Sequence, residues 1–246
     1  MSKVMRIRVG LAGWNNPPAK RAERGGEQSH LSYYAATFSC VEINSSFYRP
    51  HKSVTYARWR DETPGSFRFS VKMPRSITHE SQLKRCASEV ERFYEEISYL
   101  QPKLTAVLVQ LPPSLEFNGR TVRAFFRTVP RRRGTKIVCE PRHESWFTGT
   151  AEKTLKEAGV SRVAADPVRC QGAGAPGAAR HFAYFRWHGT PRLYYSKYSQ
   201  ERLAEFAESV MKIKATETWC VFDNTAHYAA WDDALQFKAL LHRRNT

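Results

Sequence analysis

Apolar runs of strand length alternate with segments of helical period along nearly the whole 246-residue chain. RIRVGLAGW at 6–14 reads as a first strand, followed by a Pro- and Arg-rich loop and a short helix from Leu31 to Phe38. CVEINSSF supplies a second strand, and SVTYARWRDET a helix that stops at Pro64-Gly65 before a third strand, FRFSVKMP. Leu83, Ala87, Val90, Phe93, Tyr94, Ile97 and Leu100 fall on one helical face, so a helix is expected over 83–100. LTAVLVQLPP is then a fourth strand, RTVRAFFRTV a helix, TKIVCEPRHESWF a fifth strand ending in a charged and aromatic cluster, and AEKTLKEAG a helix stopped by Gly159. SRVAADP follows as the sixth strand. HFAYFRWHG and TWCVFDN are the seventh and eighth, with helices over 199–214 and 226–243.

Strands that alternate with helices in this way are parallel, and right-handed crossovers close eight of them into a barrel. The expected fold is therefore an α/β, (β/α)8 TIM barrel, one domain over residues 1–246. An irregular loop replaces a helix near 167–180, where GAGAPGAA has little side chain to pack. An open doubly wound sheet is the competing architecture. It would carry a Gly-rich phosphate loop after strand one, and GLAGW lacks the G-x-G-x-x-G spacing.

Composition agrees with a large core: 41% of residues are hydrophobic and 13% aromatic. No apolar run has the length of a membrane span, and MSKVMRIRVG leads into a strand pattern in place of a signal peptide's apolar core, so a cytoplasmic protein without membrane contact is expected. Five cysteines with no C-x-x-C read as reduced, mostly buried thiols. Charge is the outlier. Thirty-nine Lys and Arg against 23 Asp and Glu give a formal +16, which favours anionic small molecules as partners and leaves nucleic acid open. The basic clusters at Lys20, Arg21 and Arg24, at Arg131 to Arg133, and at Arg243 and Arg244 are short, match no nucleic-acid-binding motif, and read more readily as solvated loops.

In a barrel the chemistry sits at strand C-termini and the loops after them. Those positions hold Trp14; Glu42, Asn44 and Tyr48; Lys72; Gln110; Glu140, Arg142, His143 and Trp146; Asp166; Arg186 and His188; Asp223 and Asn224. Three sets emerge. Glu42, Glu140 and Asp166 are candidate general acids and bases, with ion-pairing to Lys72, Arg142 or Arg186 as the structural alternative. Glu140, Asp166 and His188 are a candidate divalent-metal set, the less favoured one, because no H-E-x-x-H spacing exists and two arginines lie near. Lys72, Arg142 and Arg186 are candidate phosphate or carboxylate binders, with Trp14, Tyr48 and Trp146 as ring-stacking surfaces or rim packing, and Asn44, Gln110 and Asn224 as polar contacts. A histidine in an apolar run such as FRWHG is more often a hydrogen-bonded core residue, although Gly189 after His188 suggests a tight turn that exposes the imidazole. His79 and Tyr194-Tyr195 are candidates for loops over the mouth.

GLAGW, VEINSSFYR, FSVKMPRSITHE, LVQLPPS, EPRHESWF, FRWHG and FDNT, in this order, resemble the signature blocks of the YecE-like family, a domain of unknown function. The resemblance runs from residue 10 to about 240 and implies a TIM barrel with an uncharacterised function. The chain departs from the family's usual pattern at Leu11 and Ala12, where a small hydroxyl residue is usual, and in HYAAWDDAL, which is bulkier and more acidic. Three functions are compatible with the residues. The first is an enzyme that binds an anionic small molecule and uses Glu42 or Glu140 for proton transfer, as in hydrolysis or isomerisation. The second is a nucleic-acid binder or metal-dependent phosphodiesterase with a basic face joining Arg131–Arg133 to the mouth. The third is a non-catalytic scaffold whose rim charges only stabilise.

Overall fold

The computed structural model describes residues 6–23 and 28–243. Arg24 and Arg244, two members of the basic clusters, lie outside them. In chain order the elements are β1 (Arg6–Ala12), α1 (Pro18–Glu23), α2 (His30–Thr37), β2 (Cys40–Ile43), α3 (Ser53–Asp61), β3 (Arg68–Lys72), α4 (Ala87–Ile97), β4 (Leu104–Gln110), α5 (Gly119–Thr128) and β5 (Lys136–Glu140). They continue with α6 (Gly149–Glu157), β6 (Val160–Arg162), β7 (Ala164–Asp166), β8 (Gly177–Ala178), β9 (Phe182–Trp187), α7 (Gln200–Met211), β10 (Glu217–Phe222) and α8 (Ala229–Arg243).

The sheet is a closed parallel barrel. β10 pairs with β1, and pairing continues through β2, β3, β4 and β5 to β6. β6 and β7 are halves of one barrel strand joined at Val163, whose amide bonds to the Cys139 carbonyl; β7 pairs with β9, and β9 with β10. This is the TIM barrel expected from the alternation. The 167–180 segment holds no α-helix and contributes only the two-residue antiparallel β8 on β6, as its small residues foretold. Among the described residues no helix is long and apolar enough to cross a membrane.

Two element boundaries differ from the sequence pattern. The helix expected over 83–100 begins only at Ala87, because Gln82, Leu83 and Arg85 adopt φ of 47°, 65° and 50°, and left-handed residues cannot extend a right-handed helix. The second strand stops at Ile43, and Ser45–Phe47 coil into a 3-10 turn that carries the polar residues out of the sheet. Helix starts follow local chemistry: the side chains of Ser29, Asn118, Thr148 and Ser199 cap α2, α5, α6 and α7 by accepting from backbone N–H groups three residues on.

Strand side chains alternate between two apolar layers. Val9, Leu11, Val41, Val71, Val107, Phe185 and Phe222 face the helices, while Cys40, Ala106, Leu108, Val138, Val163, Tyr184, Trp219 and Val221 fill the barrel. At its N-terminal end the barrel is closed by Arg8 and Glu217, paired at 2.8 Å. Gly10 faces Cys40 across the β1–β2 pair, and a Cβ there would overlap the Cys40 carbonyl oxygen and come within 2.9 Å of its Sγ. Gly10→Ala should therefore cost more than about 2 kcal/mol in chemical denaturation, because backbone must move to admit the methyl. A loss under about 0.5 kcal/mol would show that the two strands have slack there.

Candidate functional site

The alternation that fills the barrel with apolar side chains continues into polar ones at the strand C-termini. Glu42 on β2, Lys72 on β3, Gln110 on β4, Glu140 on β5, Arg186 on β9 and Asp223 after β10 share the inward parity of the filling residues below them, and all are buried. His188, two residues beyond Arg186, keeps that parity.

Arg186 is the hub. Its side chain is completely buried, with Nε and Nη2 donating to the two Glu42 oxygens at 3.0 and 2.8 Å, Nη1 to Glu140 Oε2 at 2.6 Å, and Nη2 also to Asp223 Oδ2 at 2.9 Å. Tyr184 donates its hydroxyl to Glu42 Oε2 at 2.9 Å, and Arg142 Nε donates to Glu140 Oε1 at 3.0 Å. Guanidinium forks match carboxylates in this bidentate way, which is why an arginine stands where three acids meet. Burial alone would raise the Glu140 carboxyl, but Arg186, Arg142 and His188 outweigh it and hold Glu140 well below the usual carboxylate range. Asp223 is held low in the same way, its burial overcome by Arg186 and then His188.

His188 is buried beside this hub. Its Nδ1 lies 2.9 Å from Asp223 Oδ2, while Nε2 sits 3.3 Å from Glu140 Oε1 without the alignment of a hydrogen bond and, among the described residues, has no hydrogen-bond partner. Burial works against the imidazolium, yet Glu140 and the bond to Asp223 raise its pKa above the ordinary histidine value. The Gly189 turn is present, with φ of +87°, but it does not expose the imidazole: Tyr194 lies edge-on over His188 at 5.7 Å. Tyr194 thus covers part of the mouth, and Tyr195 packs under Arg192 at 3.9 Å.

Lys72 differs from the other cations of the rim. Its Nζ sits 4.0 Å from the centroid of the Phe47 ring and, among the described residues, makes neither a hydrogen bond nor an ion pair. Burial and then the charge of Arg186 push it down to about 8, only partly offset by Glu42, Asp223 and Glu140. Phe47 is placed by the 3-10 turn after β2, where the Ser46 hydroxyl lies 2.6 Å from the Lys72 carbonyl; the far side of the same ring cluster is His79, 4.9 Å from Phe47. His79 is pushed down to about 4 by burial and by Lys72, Arg75 and Arg142, so two rim cations, Lys72 and Arg142, act on one imidazole. Between β5, β7 and the covering loops lies a narrow cleft of about 20 Å³, room for roughly one water, lined by Glu140, Arg142, His188, Tyr194, Arg169 and Cys170, among others.

Several expected site residues sit elsewhere. Asp166 has the outward parity of Ala164, and its carboxylate accepts from Tyr198, Thr190 and Arg202, so it belongs to a strand-to-helix tie and not to the rim cluster. The proposed metal set of Glu140, Asp166 and His188 is therefore not brought together, and Glu140's oxygens already accept from two arginines. Among the described residues no group of three His, Cys, Asp or Glu is placed to hold a metal ion. Trp146 is fully buried; its indole N–H donates to the Leu115 carbonyl at 2.8 Å and its ring packs on Phe117, so it is core and not a stacking surface. Tyr48 is 74% exposed outside the barrel, against the edge of Phe47. Trp14 packs edge-to-face on Trp59 at 4.9 Å. Asn224 ties the Ser196 carbonyl to Asp233, Asn44 leaves a buried Oδ1 without a hydrogen-bond partner, and His143 caps the turn after β5 by bonding to Ser145. The Arg131–Arg133 cluster precedes β5, at the barrel end opposite the mouth, which separates it from the rim.

Strand-end position alone points to neither Tyr184 nor Arg169. Tyr184 stands one inward step below Arg186 on the same strand, so the period of two could have found it; Arg169 is in an irregular loop, where no periodicity applies.

Comparison with known proteins matches this architecture. Over 65% of its length the chain is 34% identical to UPF0759 protein YecE of Escherichia coli (strain K12), the match spanning 59% of that protein. It is 25% identical to UPF0759 protein YunF of Bacillus subtilis (strain 168), over 96% of this chain and 94% of the relative. A crystal structure of a DUF72 family protein from Thermotoga maritima superposes with a TM-score of 0.79 at 26% identity, covering 96% of this chain and 99% of that one. The family model described as protein of unknown function DUF72 matches residues 8–246, and the chain belongs to that family.

Proposed function

We propose that the barrel mouth binds a small phosphate- or carboxylate-bearing molecule and carries out acid/base chemistry on it. The observation that supports this best is the His188 ring: Asp223 fixes one nitrogen, and the other is buried beside the cleft, 3.3 Å from Glu140 Oε1 but without an aligned hydrogen bond. A carboxylate that orients an imidazole while its second nitrogen is free to exchange a proton is the recurring arrangement of general acid/base catalysts. Glu42 and Glu140, expected from the sequence to move the proton, are engaged on both oxygens or by two guanidiniums, so His188 takes that role and they orient Arg186 and Arg142. Arg142 and Arg169 line the cleft and supply positive charge for the substrate's anionic group. The five reduced thiols, four of them buried, fit the cytoplasmic setting expected from the sequence.

Oxalate or inorganic phosphate should raise the melting temperature, and Arg142→Ala should weaken that binding on the order of tenfold by calorimetry, the worth of one charge-assisted contact. The His188 imidazole signal should shift its titration to higher pH when the anion is bound, since a nearby negative charge favours the protonated ring. An unaltered His188 titration with anion bound would overturn the assignment.

A further inference from the structure

We propose that Lys72 is the nucleophile of this mouth and forms an imine with the carbonyl carbon of a small aldehyde- or oxo-acid substrate whose carboxylate Arg142 holds. This rests on the acid/base reading above and names its substrate class.

The geometry singles Lys72 out. It ends β3 on the inside of the barrel, 5% exposed, near Glu42, Glu140 and Asp223, all of which accept hydrogen bonds from Arg186. A buried lysine that serves structure pairs with a carboxylate or with carbonyls, as Lys103 does by donating to the Arg60 and Thr63 carbonyls. Among the described residues Lys72 Nζ meets the face of Phe47 and no carboxylate or carbonyl at hydrogen-bond distance. An ammonium kept from water and beside a permanent guanidinium loses its proton more easily, and a neutral amine at physiological pH is what carbonyl addition requires.

The neighbours supply the remaining steps. The Lys72 amine attacks the carbonyl carbon, and the carbonyl oxygen takes up a proton, giving a carbinolamine. Nitrogen then releases its proton, the hydroxyl is protonated and leaves as water, and a C=N bond replaces the C=O; His188 Nε2, buried 3.3 Å from Glu140 Oε1 without an aligned hydrogen bond, relays these protons. Arg142 spends its Nε on Glu140 and lines the cleft, where a carboxylate would meet it. The iminium acidifies the adjacent C–H, which gives the site a reaction class: proton transfer or carbon–carbon bond change next to a carbonyl.

The test is reductive trapping of the full chain with glyoxylate and cyanoborohydride at pH 7, followed by peptide mapping of every lysine. Lys72 is expected to be modified on the order of tenfold faster than any other lysine, as its larger neutral fraction requires. Oxalate, which occupies the anion position, should suppress that modification selectively. Modification of Lys72 at the rate of surface lysines, with oxalate still stabilising the protein through Arg142, would overturn the imine and leave the anion site standing. Neither trapping nor oxalate binding would overturn both.

Discussion

Replacing Arg186 with Met should cost at least about 3–5 kcal/mol in guanidinium denaturation, or prevent folding altogether. The size follows from what is left behind. Arg186 is completely buried and donates to Glu42, Glu140 and Asp223, so its removal strands three acids in the barrel interior with only Arg142, Lys72, His188 and Tyr184 near them. A buried ion pair adds little over a hydrophobic pair of the same shape, but removing one partner leaves an uncompensated charge, and here one cation serves three acids. The milder Arg186→Lys keeps the charge and loses the fork, and should fall between the two because an ammonium cannot bond bidentately to Glu42 and also reach the other two acids. Adding Glu42→Gln to Arg186→Met should recover part of the loss, since the pair interact directly and their effects cannot add. A loss below about 1 kcal/mol for Arg186→Met would mean that the acids take up protons or reorganise without cost.

Lys72→Met should act in the opposite direction and stabilise the protein by roughly 1–3 kcal/mol at pH 7. Burial, followed by Arg186, lowers the Lys72 pKa to about 8, which means that the folded state disfavours the protonated amine relative to the unfolded chain. For a cation whose folded pKa is depressed, the penalty is present in full below the folded pKa and disappears as pH rises through the unfolded one. The advantage of Lys72→Met should therefore be constant below about pH 8 and shrink toward zero by about pH 10.5. Denaturation of both proteins at pH 7 and pH 10 measures it. A variant less stable than the parent at pH 7 would show that the ammonium is stabilised by the surrounding acids, and the reason for regarding Lys72 as a strained functional group would be gone. A residue that costs stability where a Met would not is the expected signature of a site kept for chemistry.

How much of this was legible beforehand varies by residue. Glu42, Lys72, Glu140, Arg186 and His188 could be placed at one rim because each ends an apolar run, and a parallel barrel puts all run ends on the same side. Asp166 ends a run too, yet it faces away. In SRVAADP both faces carry apolar residues, Val163 in the barrel filling and Ala164 in the outer layer, so these alanines and valine carry no label for which face is inside. Trp146 and Tyr48 failed for a different reason. Each follows its strand by several residues, and a 3-10 turn sent one into the core and the other into solvent.

The sequence by itself determined the barrel, its helix-free 167–180 segment, the family and the end of the barrel at which polar groups gather, because period, run length and turn residues are local properties. Only the tertiary structure decided who pairs with whom. Arg186 reaches acids 144, 46 and 37 positions away along the chain, and those distances close only when eight strands join into a ring. The same closure leaves Lys72, among the described residues, with the Phe47 ring and no carboxylate: acids bound by a better fork are not available to it, and that is a property of the assembled rim which no single stretch of chain contains.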